Sequence, residues 1–229
     1  MQAVHMPETS MLAAPMRIGM LGGTFDPVHF GHLRSAIEVR EALGLDRLHM
    51  IPAPQPPLRG APQVSAVQRF ELLKAGIGDT PGLLADDREL HRDGPSYSVD
   101  TLLELRQQYG NSVPLVMVIG FDAFLRLARW HRAEQLFECA HLVVISRPGY
   151  QSPWPQALKE LVGNREVDSV SSLMQHTHGG LLMLTLPSLM AISATYIRAR
   201  LQAGESVRYL LPEAVEQAIF KHGLYQISE

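Results

Sequence analysis

Four short, largely apolar runs, at residues 16–21, 114–119, 141–146 and 181–184, constrain this chain more than any other feature. Runs of this length with no polar alternation fit strands buried on both faces, which is the situation of strands in a parallel sheet covered by helices. Shorter strand candidates stand at 47–51 and 83–85. Between the runs lie helical patterns at 33–43, 67–77 with Ser65 as N-cap, 98–109 with Ser98 as cap, and a last pair at 194–202 and 213–221. Strand and helix in alternation predict an α/β fold, a doubly wound parallel sheet with helices on both faces and a small C-terminal helical element. Residues 151–180, rich in Pro, Ser, His and Gly, show no clean period and read as a surface excursion. Ligands of such sheets bind beyond the carboxyl ends of the strands.

The 229 residues suffice for one good core, and residues 16–229 are expected to form a single domain. A net charge of −3 leaves no basic footprint for nucleic acid. No apolar run reaches the roughly 18 residues needed to span a bilayer. Residues 1–15 lack the basic start and apolar stretch of a secretory signal and read as a disordered extension, with Met1, Met11 or Met16 as possible starts. A lone cysteine, Cys139, excludes an internal disulfide and fits a reducing compartment, so a cytoplasmic location is expected. Nothing in the pattern specifies an oligomeric state.

The first run feeds into Gly22-Gly23-Thr24-Phe25-Asp26-Pro27-Val28-His29-Phe30-Gly31-His32 and then a helix. A strand that ends in glycines and opens a helix makes an anion site, because backbone N–H groups approach closely and the helix start is partly positive. His29 and His32 add donors that can carry charge near neutral pH. A metal reading of His29, His32 and Asp26 is weaker, since His-x-x-His is half a site and zinc takes three or four protein ligands. A second motif, Ile192-Ser193-Ala194-Thr195-Tyr196-Ile197-Arg198, sets two hydroxyls at a helix start with Arg198 about one turn on. A third, Gly120 and Asp122 at the end of an apolar strand, suits a nucleoside: the base against the glycine backbone, the carboxylate on a ribose hydroxyl or adenine amine.

The first motif resembles the (H/T)xGH signature of a nucleotidyltransferase superfamily on a Rossmann-like fold, and the second resembles its ISxTxxR signature. Further segments run in matching order: Glu89 to Ser98 (Glu-Leu-His-Arg-Asp-Gly-Pro-Ser-Tyr-Ser), Trp130-His131, Ser146-Arg147-Pro148-Gly149-Tyr150, and Leu210-Leu211-Pro212. Together they resemble the bacterial nicotinate-nucleotide adenylyltransferases from about Arg17 to Tyr225. The resemblance implies transfer of AMP from ATP, with Mg²⁺, to nicotinate mononucleotide in NAD biosynthesis. It implies ATP contacts from Gly22, Gly23, Thr24, Phe25, His32, Gly120, Asp122, Ser193, Thr195 and Arg198. His29, His32 and Arg198 would act on the phosphates. Asp26, Tyr97, Ser98, Trp130 and Arg147 would hold the mononucleotide, Trp130 by stacking on the pyridine ring and Arg147 at its phosphate or carboxylate. One departure stands in the proline-rich loop, where many relatives place a histidine and this chain has Leu58, followed by Arg59.

Two other readings fit parts of the pattern. A phosphopantetheine adenylyltransferase or a cytidylyltransferase would share the first two motifs but lack the Ser-Tyr-Ser, Trp130 and Arg-Pro-Gly-Tyr segments. A nucleotide-binding regulatory module would not need both histidines together with Arg198.

Overall fold

The computed structural model describes residues 16–55, 62–146, 152–188 and 190–226. The chain opens with β1 (Ile18–Gly23), α1 (Phe30–Leu43), β2 (Arg47–Pro52), α2 (Ala66–Ile77) and β3 (Leu83–Ala85). It continues through α3 (Ser98–Tyr109), β4 (Leu115–Gly120), α4 (Phe121–Phe124), α5 (Ala133–Cys139) and β5 (His141–Ser146). The last part holds α6 (Gln156–Val162), β6 (Glu166–Val167), α7 (Val170–Leu173), β7 (Leu181–Thr185), α8 (Ala194–Gln202) and α9 (Glu213–Lys221). The strands form one sheet in the order β3-β2-β1-β4-β5-β7-β6, parallel at every pairing.

The apolar runs serve two cores at once, since successive side chains of a strand point to opposite faces. In β4, Leu115, Met117 and Ile119 join one buried cluster with Val99, Leu102 and Leu105 of α3. Their neighbours Val116 and Val118 join the other, with Leu33, Val39 and Leu43 of α1 and Leu72 and Leu73 of α2. The C-terminal helices close that second face: Ile197 and Leu201 of α8 and Val215 and Ile219 of α9 are buried in it. Ser65 caps α2 in a reciprocal capping box with Gln68. No helix among the described residues is long and apolar enough to cross a membrane.

Three expectations are corrected. The glycine pair lies inside β1, because Gly22 and Gly23 pair with Ile51 and Pro52 of β2. Ser98 is the first helical residue rather than the cap: Tyr97 is extended, and its carbonyl accepts from the N–H of Asp100 at 3.0 Å. Residues 151–180 are more than a surface excursion, since α6 and α7 bury Leu158, Val162 and Leu173, and β6 extends the sheet. Residues 1–15, Leu58, Arg59 and Arg147 lie outside the described residues.

Candidate active site

Strand order reverses between β1 and β4, so a crevice opens at their carboxyl ends. The two strands pair up to Leu21 and Val118; Gly22 and Gly23 then follow β2, while Gly120 follows β5. Past the crevice the chain turns sharply at Phe25, whose φ is 47°. A Cβ on Gly23 would stand 2.8 Å from the Phe25 ring, so that glycine is what lets the ring fold under the strand end. The Asp26–Pro27 peptide is cis, and His29 then forms the extended residue before α1.

The histidines are aimed by packing. The rings of His29 and His32 stack with centroids 3.7 Å apart, and Phe25 meets His32 edge-on at 5.1 Å. Gly31 makes the stack possible, because a Cβ there would lie 3.0 Å from two atoms of the His29 ring. His29 is buried, and its Nδ1 has no hydrogen-bond partner among the described residues. Burial pulls its pKa down to about 4, so His29 carries charge near neutral pH less readily than an exposed imidazole would. A phosphate beside it would favour the charged form and push the value back up.

The second motif arrives from the other end of the chain. Ser193 caps α8 by accepting from the Tyr196 N–H at 3.2 Å. Arg198 donates from Nη2 to Thr195 Oγ1 at 3.4 Å and from Nη1 to the Asp26 carbonyl at 2.7 Å. The two signatures, 172 residues apart at that contact, therefore meet on one loop.

A cavity of about 420 Å³ is lined by Gly22, Gly23 and Thr24 and also by Tyr97, Ser98 and Trp130, while His29, His32, Ser193, Thr195 and Arg198 are not in its lining. Met20, Ile51, Met117 and Ile119 also line it, and buried Glu89 stands in its wall. Burial pushes the Glu89 carboxyl above its ordinary value, and the Thr101 hydroxyl donates to it at 2.6 Å. Tyr97 stacks on His131 at 4.2 Å, which fixes one wall. Exposed Arg126 and Arg129 stand at the same cavity.

Not every expected residue faces this space. Asp26 is 4% exposed, and both carboxylate oxygens are held by the protein: Oδ1 by the Tyr225 hydroxyl at 2.9 Å, Oδ2 by the Gln63 N–H at 3.1 Å. Gly120 and Asp122 stand just beyond the cavity lining, and a Cβ on Gly120 would meet nothing within 4 Å. Among the described residues no group of three or more His, Cys, Asp or Glu side chains could hold a metal ion.

Sequence reasoning missed Arg69, which is fully buried in α2 and ties the loop down. Its Nη1 donates to the carbonyls of Thr24 at 2.5 Å and Ala53 at 2.9 Å, and its Nη2 to that of Pro54 at 3.1 Å. The signal was available: Arg69 precedes Leu72, Leu73 and Ile77 at helical spacing, a cation on the apolar stripe. Tyr225 gave no such signal.

Residues 20–200 match the cytidylyltransferase-like family model. A protein of Chromohalobacter salexigens named "Probable nicotinate-nucleotide adenylyltransferase" is 60% identical over 213 residues, covering 93% of this chain and 97% of its own. A protein of Halorhodospira halophila with the same name is 50% identical, covering 92% and 96%. Among solved structures, nicotinic acid mononucleotide adenylyltransferase of Plasmodium falciparum, complexed with NaAD, shares the fold. Its TM-score is 0.67 at 16% identity, over 92% of this chain and 97% of that one. With relatives at these identities matched along nearly their whole lengths, the chain belongs to the nicotinate-nucleotide adenylyltransferase family.

Proposed function

We propose that this chain transfers AMP from ATP to nicotinate mononucleotide, giving the deamido dinucleotide and pyrophosphate, a step of NAD biosynthesis. The observation that carries this reading is one cavity lined both by the glycine–threonine strand end and by Tyr97, Ser98 and Trp130. The first group suits phosphate, and the second suits a flat ring with a carboxylate.

A phosphate oxygen of the mononucleotide attacks the α-phosphorus of ATP. A P–O bond forms there as the bond to the β-phosphate oxygen breaks, and pyrophosphate leaves with the electron pair. The nucleophile is already an oxyanion at pH 7, so no side chain has to remove a proton. Catalysis then consists of aligning two polyanions and stabilising charge on the leaving group. In this reading His32 and His29 serve the α- and β-phosphates and Arg198 the β/γ end. Thr195 and Ser193 border the triphosphate, while Gly22, Gly23, Thr24 and Phe25 frame it. Gly120 and Asp122 receive the adenosine. Tyr97, Ser98 and Trp130 take the nicotinate ring, and Arg147 adds a cation to its phosphate or carboxylate. Asp26 holds the loop together rather than touching the mononucleotide, because its oxygens are already engaged.

Among the described residues no group of three or more His, Cys, Asp or Glu could hold a metal ion, and in this reading Mg²⁺ enters with ATP, coordinated by phosphate and water as this ion usually is. Pyrophosphate release tests the assignment, measured with ATP and Mg²⁺ plus nicotinate mononucleotide, its amide form or phosphopantetheine. Release with nicotinate mononucleotide is expected. Release with phosphopantetheine alone would overturn the reading, and release with none would favour a regulatory nucleotide-binding module.

A further inference from the structure

We propose that Tyr225 is a positioning residue that sets where the Arg198 guanidinium stands, acting through the carboxylate of Asp26. Tyr225 lies beyond α9, is 5% exposed, and delivers its hydroxyl to Asp26 Oδ1 at 2.9 Å. Burial, reinforced by the neighbouring Asp26 carboxylate, pushes the phenol well above its ordinary value, so it stays a donor throughout the physiological range.

The geometry around Arg198 shows what this donor does. Arg198 Nη1 sits 2.7 Å from the Asp26 backbone carbonyl but 3.7 Å from carboxylate Oδ2. The guanidinium is thus docked on a neutral acceptor beside a charged one. Each carboxylate oxygen already receives a hydrogen bond, from Tyr225 on one side and the Gln63 N–H on the other. Arg69, the second cation near Asp26, has both Nη atoms committed to three backbone carbonyls, which leaves only its Nε unpaired among the described residues. Loss of the Tyr225 hydroxyl leaves a buried carboxylate short of a donor, and Arg198, whose Nη1 already stands 3.7 Å from Oδ2, is a cation that can take its place. A charge-assisted pair with both carboxylate oxygens is stronger than a bond to a carbonyl. It would draw Arg198 into the loop and away from the triphosphate.

The inference rests on the assignment of Arg198 to the β/γ end of ATP, and three variants keep the two apart: Tyr225→Phe, Tyr225→Phe with Asp26→Asn, and Arg198→Ala. Steady-state kinetics with both substrates are expected to give Tyr225→Phe a KM for ATP raised about fivefold or more, with the KM for nicotinate mononucleotide unchanged. Adding Asp26→Asn is expected to restore the ATP KM to within about twofold of the parent, because an amide has no charge to capture the guanidinium. An unchanged ATP KM in Tyr225→Phe overturns the proposal, as does an equal rise in both KM values that Asp26→Asn leaves in place. If Tyr225→Phe does not fold, the double variant decides: a raised ATP KM there overturns the proposal. Near-parent turnover in Arg198→Ala defeats the assignment of Arg198 instead, whereas a crippled Arg198→Ala beside a normal Tyr225→Phe defeats only the role of Tyr225.

Discussion

Replacing Gly31 with alanine separates the stability of α1 from the aim of His29. Gly31 does not have a positive φ, so the backbone itself accepts a side chain there. Alanine in a helix is favoured over glycine by up to about 1 kcal/mol. The new Cβ, however, would lie 3.0 Å from both Cε1 and Nδ1 of His29 and 3.5 Å from the Ile192 carbonyl oxygen. The ring must retreat by several tenths of an ångström to reach ordinary contact, and it cannot retreat straight back, because His32 is stacked on it at 3.7 Å. It has to slide, and sliding takes the ring out of the position that the stack on His32 sets. A misplacement of about 1 Å costs on the order of a hundredfold in rate, and outright loss of a preorganised donor about 3–4 kcal/mol. Gly31→Ala is therefore expected to lower kcat by on the order of a hundredfold. The helix gain and the local crowding offset each other, so Tm should move by no more than about 4 °C for a chain of this size. Pyrophosphate release and a thermal melt on the same preparation check both halves. Full turnover with an unchanged melt would show that the placement of the His29 ring is immaterial to the reaction.

Other perturbations separate further parts of the site. Gly120→Ala meets nothing within 4 Å, so its melt should match the parent while the KM for ATP rises severalfold; an unmoved KM removes the base from that strand end. His32→Ala should lose on the order of a hundredfold in turnover with its fold kept, as expected for one donor in a preorganised set, and near-normal turnover would remove it from the phosphate site. His29 and His141 are both held near pKa 4 by burial against 6.5 when unfolded, so as pH falls the unfolded chain takes up protons first. Stability should be complete above about pH 6.5 and decline towards pH 4, each histidine costing about 2 kcal/mol by pH 5. A urea midpoint that stays flat from pH 7.5 to 5 would contradict this. Arg69→Leu strips donors from the carbonyls of Thr24, Ala53 and Pro54. It should cost about 3–5 kcal/mol by urea unfolding, and a loss below about 1 kcal/mol would mean that other donors replace it.

Much of the sheet was legible because unbroken apolar runs of four to six residues carry their own signal. The run at 114–119 is offset from β4 by one position, and β5 matches its run residue for residue. The end of β1 was misjudged because glycine has no hydropathy to read, and only pairing with β2, some thirty positions on, keeps Gly22 and Gly23 in the ladder. The segment 151–180 hid its order because α6, β6 and α7 hold seven, two and four residues, too few to establish a period. In the site, the residue types of the two signatures could be read, but their electrostatic state could not. The charge on His29 is decided by burial, which depends on Phe25, His32 and Gly31 packing together. Tyr225 was illegible for a different reason: its partner Asp26 stands 199 residues away.

The ends of the sheet carry a consequence for how the protein behaves in concentrated solution. The outermost strands are its two shortest, β3 with three residues and β6 with two, while those between hold five or six. An unpaired margin is where a foreign strand would add, and its grip grows with each backbone group it can match. Here such a strand would find a ladder two or three rungs long, while the apolar runs that could support a longer one are locked between neighbours on both sides. Tapering the sheet at both margins thus guards the buried strands between them against templated self-association.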